Sequence, residues 1–345
     1  MSPAYALYRL PYADHYVRIE GETRELSAYA QLNDTVGFVV APFELMATQP
    51  LVVIQPDRME HVALSGETES SGYSGLLGKS GPTSAYAIDF ANFHAQLSQG
   101  AFRKIVLARC TDEAMPSSVT PEKLFFRACH LYPRMFVALV STPQSGVWLT
   151  ATPEILLDGE PSHMRTIALA GTMRLEGDQL NGEGENVSWS TKNIEEQRIV
   201  ATYVAECLEH FADSFNEEGP RTVRAANLVH LRSDFTFTLP DSRHLGDLIG
   251  SLHPTPAVCG LPKRDAFQFI IRNENHPRRY YSGFMGWLDP QGDTHLYVSL
   301  RCMNIDGANC HLYAGGGLLR DSVMEQEWLE TEAKLETMRR LIITE

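Results

Sequence analysis

The chain has 345 residues, of which 43% are hydrophobic and 21% charged, and its formal net charge at pH 7 is −14. This composition is typical of a globular protein and excludes a disordered or fibrous one. A surface of this sign repels phosphate backbones and acidic lipids, so we expect neither nucleic acid nor a membrane as a partner. A small anionic substrate is still allowed, because a few local cations or a metal ion can reverse the field inside a cleft.

The N-terminal segment and the cysteines indicate the compartment. Residues 1–10 lack the basic flank and apolar core of a signal peptide, and no apolar run reaches the length of a membrane span. The six cysteines include no CxxC pair, which argues against a zinc site and against a disulfide framework. We therefore expect a cytoplasmic protein, with a monomer as the default oligomeric state.

The N-terminal quarter of the chain is predicted to be a reduced part of a single domain. Residues 1–85 contain short apolar β-like runs at 36–41 and 51–54, followed by a Gly/Ser-rich loop over 65–84. Residues 86–345 continue without a further linker and form the main region of the fold.

The elements of the main region alternate between strands and helices. A β-branched apolar run predicts a strand over 104–108. Paired runs predict hairpins of 137–140 with 147–150, of 155–157 with 166–169 around Asp158-Gly159, and of 296–305 with 310–314 around Asp306-Gly307. Apolar residues at helical spacing predict helices over 191–215, capped by Ser190, and over 323–343, capped by Ser322. This mixture predicts an α+β fold with a large, mainly antiparallel sheet system.

Acidic residues on both predicted helices are candidates for a metal site. Glu327, Glu330 and Lys334 lie at i, i+3 and i+7 and therefore share one helix face. A solvated face with a Glu–Lys pair explains this row when the helix is considered alone. Glu196, however, occupies the first turn of the other helix at the head of a partly apolar row. Carboxylates that converge near helix starts suit a hard cation such as Mg²⁺.

Two residues are candidates for a base and an acid. Lys104 lies on one strand face with Phe102, Val106 and Ala108, and desolvation among such neighbours can make a lysine usable as a base. The alternative is an edge-strand lysine that prevents aggregation. Glu154 follows Pro153 at a break between strands, and a carboxyl group in an apolar pocket has a raised pKa and can act as an acid. Its alternative is an ordinary loop carboxylate.

Three further features suggest a substrate site. Arg301, in the middle of a predicted strand, is a candidate partner for a carboxylate, although a structural ion pair is the alternative. The glycines at 315–317 let a ligand approach the backbone, but they lack the spacing of a nucleotide-binding loop. His253 lies in a loop stiffened by two prolines, and a lone histidine is more often structural than catalytic.

Together these motifs resemble the chorismate-utilising enzymes, a family that includes isochorismate, salicylate, anthranilate and aminodeoxychorismate synthases. The resemblance runs from about Phe102 to the C-terminus. The matching stretches, in the family's order, are FRKIVLAR, TPEILL, LAGTMR, STKNIEEQRIV, SLHPTPAVCGLP, RRYYSGFMGW, VSLRC, YAGGGLLRDS and EQEWLETEAKL. SLHPTPAVCG and the terminal glutamate-rich pattern are the most specific of them.

The resemblance implies a fold and a set of site residues. The expected fold is a single α+β domain with two large, mainly antiparallel sheets flanked by helices and an active site in the cleft between them. Residues 86–345 would be the chorismate-binding catalytic region, with Mg²⁺ as cofactor and Glu196, Glu327 and Glu330 at the metal. The implied substrate-binding residues are Ala170, Gly171, Thr172, His253, Tyr281, Leu300, Arg301, Gly315 and Lys334.

The resemblance also implies which nucleophile is used. Family members that add water carry a lysine where this chain has Lys104, whereas members that add ammonia usually carry glutamine there. Aminodeoxychorismate synthases often carry a nucleophilic lysine at the position of Ala170. We therefore expect a Mg²⁺-dependent isomerase, an isochorismate synthase, in which Lys104 activates water for attack at C2 and Glu154 protonates the departing C4 hydroxyl.

Alternatives and partners follow from the same comparison. A salicylate synthase would share this base and acid, and a non-catalytic metal-dependent carboxylate binder would need neither. The tryptophan-binding N-terminal segment of anthranilate synthases is not recognisable, so no glutaminase subunit is expected. The reduced N-terminus favours menaquinone biosynthesis over siderophore biosynthesis.

Overall fold

The computed structural model describes residues 4–64, 81–175, 187–225 and 228–342. Most of the predicted Gly/Ser-rich loop, 65–80, lies outside the described residues. The strands are β1 (Ala4–Arg9), β2 (His15–Leu26), β3 (Gly37–Ala41), β4 (Leu51–Ala63), β5 (Lys104–Ala114), β6 (Phe136–Thr142), β7 (Gly146–Thr152), β8 (Ile155–Glu160), β9 (His163–Arg174), β10 (Phe215–Ala225), β11 (Leu228–Phe237), β12 (Gly260–Leu261), β13 (Phe284–Leu288), β14 (Thr294–Val298), β15 (Cys302–Asp306) and β16 (Asn309–Leu318). The helices are α1 (Ser84–Ser98), α2 (Pro121–Leu131), α3 (Thr191–Leu208), α4 (Leu245–Leu252), α5 (Lys263–Asn273) and α6 (Met324–Ile342).

The strands that the structure describes pair into one 16-stranded order. The order is β10-β11-β9-β8-β14-β13-β3-β4-β2-β1-β6-β7-β15-β16-β5-β12, and each pairing is antiparallel. The α+β class with large antiparallel sheets is thereby confirmed. Two separate sheets were expected. The long pairing of β2 with β4 joins them, so they form the two halves of one continuous hydrogen-bonded sheet.

The chain crosses between the two halves at Ser299–Arg301. A continuous strand was predicted over 296–305, but β14 pairs with β13 and β8 in one half, whereas β15 pairs with β16 and β7 in the other. Arg301 adopts a positive φ of 46° at this crossing, which ends the strand. The break therefore places a buried arginine between the halves.

Two other boundaries differ from the prediction. The helix predicted over 191–215 ends at Leu208, and Phe215 begins β10. The apolar spacing extended the predicted helix too far because Phe211 and Phe215 pack on the same core cluster as α3. Asp158-Gly159 lies inside β8, and the turn to β9 is at 161–162. A Cβ on Gly159 would lie 2.3 Å from the carbonyl oxygen of His163, so this glycine permits close strand contact and does not form the turn.

The caps and packing of the two long helices explain how they face the sheet. Ser190 accepts a hydrogen bond from the Asn193 amide and caps α3 as predicted. Ser322 instead accepts a hydrogen bond from the Leu319 amide in the preceding turn. On α6, Trp328, Leu335 and other apolar residues are buried against the core, which leaves the row from Glu327 to Lys334 facing β16.

Among the described residues, none of the helices has the length and apolar character needed to cross a bilayer.

Candidate active site

A cleft lies where the two halves of the sheet meet α3 and α6. Its wall combines the break between β7 and β8, the bulged end of β9, the crossing at 299–301 and the glycine run of β16. The predicted site residues that line it are Glu154, Ala170, Gly171, Thr172, Glu196, Tyr281, Leu300, Arg301, Gly315 and Lys334. Tertiary folding thus brings together residues that are far apart in the sequence.

Three glutamates converge on the backbone of the glycine run. A Cβ on Gly317 would lie 2.1 Å from Glu196 Oε1, and one on Gly316 would lie 3.3 Å from Glu327 Oε2 and 3.9 Å from Glu330 Oε1. Because Gly316 and Gly317 have no side chains, this part of β16 leaves room for the carboxylates of both helices. Sequence reasoning placed each glutamate on its helix and placed the glycines after a strand; the structure continues β16 through them to Leu318, and the contact with the glutamates explains why this end of the strand consists of glycines.

Each of these carboxylates contacts a lysine ammonium. The pairs are Glu196 with Lys104 at 3.0 Å, Glu330 with Lys334 at 2.6 Å, and Glu327 with Lys192. Lys192 was not among the sequence predictions, although it precedes Glu196 by one helical turn and so shares its face. Lys104 and Glu327 are buried and the other members of the cluster are half-buried, and the three carboxylates are balanced by three ammonium groups, which offsets the cost of burying charge.

The glutamate cluster fits a hard divalent cation. Glu327 is buried, its Oε1 accepts a hydrogen bond from Lys192, and its Oε2 has no hydrogen-bond partner among the described residues. Burial, followed by repulsion from Glu330, raises the pKa of the Glu327 carboxyl group. Oxygen donors with an unsatisfied buried atom are the donor set that Mg²⁺ takes.

Lys104 is completely buried, which excludes the alternative of an exposed edge-strand lysine and agrees with the predicted desolvation. It begins β5, which is covered on one side by β16 and on the other by β12. A Cβ on Gly317 would lie 2.8 Å from Lys104 Cε, which places the side chain directly beneath the glycine run. Its ammonium therefore reaches the cleft wall at Glu196.

Glu154 has the properties predicted for an acid. The residue lies between β7 and β8, is buried, and lines the cleft. Burial raises the pKa of its carboxyl group to about 7, against the opposing effect of Lys104, Lys334 and Arg301. A carboxyl group with this pKa carries a proton in a large fraction of molecules near neutral pH.

Arg301 and His230 form a buried pair at the cleft wall. Arg301 Nη2 donates to His230 Nε2, and Arg301 Nη1 is buried without a hydrogen-bond partner among the residues described. Burial lowers the pKa of Arg301 to about 10, which still leaves it charged at neutral pH. An arginine with unused, desolvated donors is suited to an incoming carboxylate.

His230 was missed by the sequence analysis. Burial, then the charges of Arg301 and Lys334, lowers its pKa well below the usual value, so the ring is neutral. Because Nε2 accepts from Arg301, Nδ1 carries the proton and donates to the Gly171 carbonyl oxygen at 3.1 Å. Its cross-strand partner is Thr172, a relation that only the β9–β11 register reveals.

A β-bulge shapes this wall of the cleft. The register between β9 and β11 shifts so that Gly171 has no partner opposite it, and its φ is +74°. Such a bulge turns the following side chain, here Thr172, towards the site. The bulge accounts for a glycine between Ala170 and Thr172, both of which line the cleft.

His253 lies outside the cleft, contrary to its predicted place beside the substrate. Its buried ring packs edge-to-face against Tyr29 at 5.6 Å and Phe284 at 5.1 Å between centroids. Burial lowers its pKa to about 3, so the ring is neutral in the core. The prolines after His253 stiffen a structural loop, and His230 is the histidine that the cleft contains.

The chain is similar to known proteins of one family. The profile of the chorismate binding enzyme family matches residues 66–343. The chain belongs to the chorismate binding enzymes. Isochorismate synthase DhbC of Bacillus subtilis (strain 168) is 32% identical over 256 residues, which cover 71% of this chain and 64% of that protein. Isochorismate synthase EntC of Escherichia coli (strain K12) is 30% identical over 238 residues, which cover 68% of this chain and 61% of that protein.

The alignments span less than two thirds of the length of these two relatives. A solved structure of MenF, the menaquinone-specific isochorismate synthase from Escherichia coli, superposes with a TM-score of 0.82 at 23% sequence identity. That superposition covers 99% of this chain and 89% of the other. At this identity the likeness shows the chorismate binding enzyme fold, which extends over the N-terminal strands as well.

Proposed function

We propose that the chain is an isochorismate synthase, an isomerase that converts chorismate to isochorismate reversibly by adding water at C2 with loss of the C4 hydroxyl. The observation that carries the proposal is one cleft with a buried lysine at Glu196 and a buried carboxyl group whose pKa is raised to about 7. A binder of carboxylates needs neither group, whereas water addition with hydroxyl departure needs a base and an acid.

The cations of the cleft support binding of a dicarboxylate. Arg301 offers buried Nη1 donors to one carboxylate of the substrate, and His230 holds the guanidinium from its other side. Lys334 donates to the Gly315 carbonyl oxygen at 2.8 Å, which holds its ammonium at the cleft wall for the other carboxylate. Tyr281, 2% exposed and close to Gly315, closes the apolar side.

In the proposed reaction, Lys104 is the general base and Glu154 is the general acid. Lys104 acts as the base in its neutral amine form: its nitrogen takes a proton from water while the water oxygen forms a bond to C2, and the Glu196 carboxylate at 3.0 Å stabilises the resulting ammonium. The ring double bond shifts, the bond between C4 and its hydroxyl breaks, and Glu154 gives its proton to the departing hydroxyl. The atoms balance without a redox step, since one hydroxyl enters as another leaves.

Glu196, Glu327 and Glu330 would hold Mg²⁺. When bound, the ion supplies charge stabilisation and orients an oxygen of the substrate. The convergence of these carboxylates on Gly316 and Gly317 supports this assignment.

Gly317→Ala is expected to weaken Mg²⁺ binding about 10- to 100-fold, because the new Cβ would overlap Glu196 and displace Lys104. Titration calorimetry with Mg²⁺ measures the effect directly. Gly81→Ala is the matched control, since nothing lies within 4 Å of a Cβ there. Equal Mg²⁺ affinity in the wild type and Gly317→Ala would contradict the metal assignment.

The reaction is tested by incubating the purified chain with chorismate and Mg²⁺, with EDTA in a parallel sample, and resolving the products by LC-MS. We expect a new species of chorismate's mass that EDTA suppresses. Salicylate with pyruvate would identify a salicylate synthase, and unchanged chorismate would contradict the proposal in favour of a binder or of another substrate. Menaquinone biosynthesis as the pathway and a cytoplasmic monomer without a glutaminase subunit stay predictions.

A further inference from the structure

A second and larger cavity, of about 530 Å³, lies behind the active-site cleft. One face of β10, β11, β9, β8 and β14 forms its floor. The segment 10–12 after β1 and Arg134 before β6 form its other wall, and the two are joined by a hydrogen bond of 2.7 Å from the Tyr12 amide to the Pro133 carbonyl oxygen. We call this cavity the arginine pocket.

The charge of the arginine pocket is opposite to that of the chain. Its lining residues include four arginines and one aspartate, whereas the whole chain has a net charge of −14. The charged lining residues are Arg134, Arg165, Arg224, Arg232 and Asp158. Arginines contributed by separate segments around one cavity produce a positive potential that attracts anions.

Two of these arginines are held in fixed positions by ion pairs. Arg165 Nη2 donates to Asp158 Oδ2 at 2.6 Å across the β8–β9 hairpin. Arg232 Nε donates to Asp234 Oδ1 at 3.0 Å. The Nε and Nη2 donors of Arg232 are both taken up by Asp234, so a ligand carboxylate would contact Nη1 of that residue. A guanidinium held in this way loses little further freedom when a ligand binds.

The remaining lining is largely apolar. Leu10, Ile155, Leu169 and the buried ring of Tyr297 line the cavity between the arginines. A bare inorganic anion would leave this surface without a partner. A ring or other apolar frame that bears carboxylates would satisfy both the apolar wall and the guanidinium groups.

We propose that the arginine pocket is a second binding site, separate from the cleft, for a small organic anion with two carboxylates on an apolar ring. Pro153 and Leu169 belong to the walls of both cavities, so the occupant lies directly behind the segments that carry Glu154 and Ala170. Binding at this site does not require the proposed reaction.

The test is titration calorimetry of the full chain with phthalate, benzoate and inorganic phosphate at constant ionic strength. We expect phthalate to bind most tightly and phosphate most weakly. Arg165→Gln and Arg232→Gln are each expected to weaken phthalate binding about tenfold or more, through loss of a charge-assisted contact. Arg165→Lys and Arg232→Lys keep the positive charge but not the planar guanidinium group, so each should give a smaller loss of phthalate affinity.

The chain offers a matched control. Arg221 pairs with the same Asp234 as Arg232 does but does not line the arginine pocket, so Arg221→Gln should leave phthalate affinity unchanged. Both glutamine variants leave each aspartate a second partner, since His295 contacts Asp158 at 2.7 Å and Arg221 contacts Asp234. Folding should therefore be retained, which circular dichroism and chorismate turnover check.

Three outcomes would overturn the proposal. The first is phthalate affinity that is unchanged in both Arg165→Gln and Arg232→Gln but lost in Arg301→Gln, which would place the anion in the cleft. The second is an equal loss in Arg221→Gln, which would reveal a general charge effect. The third is phosphate binding as tightly as phthalate, which would remove the role of the apolar wall. The phthalate titrations do not depend on chorismate turnover. An absence of turnover would therefore contradict the proposed function without contradicting the second binding site.

Discussion

Replacing Lys104 with alanine is expected to lower the rate of isochorismate formation about 10²- to 10⁴-fold, the usual contribution of a general base. The reason is the position of this side chain, because Lys104 is the fully buried lysine that contacts Glu196 at the cleft wall. Chorismate should still bind, since Arg301 and Lys334 are untouched. Steady-state kinetics and calorimetric binding of chorismate measure the two effects.

Lys123→Ala serves as the control for this experiment, because Lys123 is an exposed lysine of α2. The melting temperature of each variant shows whether the fold is retained without the buried ammonium. Glu196 also interacts with Lys192 and Lys334, so its carboxylate keeps compensating charge in the variant. Wild-type turnover by a folded Lys104→Ala enzyme would exclude Lys104 as the base.

Replacing Glu154 with glutamine is expected to lower kcat by a similar factor of about 10²–10⁴, because the amide has no acidic proton for the departing hydroxyl. Shape and burial are nearly preserved, so the substrate KM should change little. Glu160→Gln, at the exposed end of β8, is the control. A kcat for Glu154→Gln within a few-fold of the wild-type value would contradict the assigned role.

The pH dependence of the wild type provides a second measurement on Glu154. Desolvation raises the pKa of this carboxyl group to about 7, and the acid is active only when protonated. Below pH 7 most molecules carry the proton; above it the protonated fraction falls about tenfold for each pH unit, so kcat/KM should fall as pH rises through 7 at constant Mg²⁺. The residual activity of Glu154→Gln should lack this descending limb. A wild-type profile that stays flat to pH 9 would be inconsistent with Glu154 as the acid.

Local sequence signals predicted the elements that carry the site but not every boundary. The row of Glu327, Glu330 and Lys334 follows from helical spacing alone, and the structure places all three on the face of α6 towards β16. Glu154 was predicted from Pro153 and the break between strands, both of which are local. The strand predicted over 296–305 is broken at Arg301, because the choice between two sheet halves is made by pairing with distant strands.

The two histidines show the limit of the same reasoning. His253 carries a distinctive sequence context, yet it packs against Tyr29 and Phe284 in the core. His230 has no local signal, and its position follows from the register of β11 with β9 and from the crossing that brings Arg301 beside it. Lys104 is a third case, because one strand sequence fits both an exposed edge and a buried interior.

The sequence by itself determined the fold class, the helix faces and the identity of the acidic and basic groups, because periodicity, caps and residue chemistry are properties of neighbouring residues. Only the tertiary structure decided which groups meet: the three glutamates on the glycine run, Lys104 under Gly317, His230 on Arg301, and the arginines around a second cavity. The physical reason is that burial and pairing depend on strand register and on the packing of helices against the sheet. Several of these relations join residues far apart in the sequence, such as His230 and Arg301, which are 71 positions apart, and the local pattern carries no record of them.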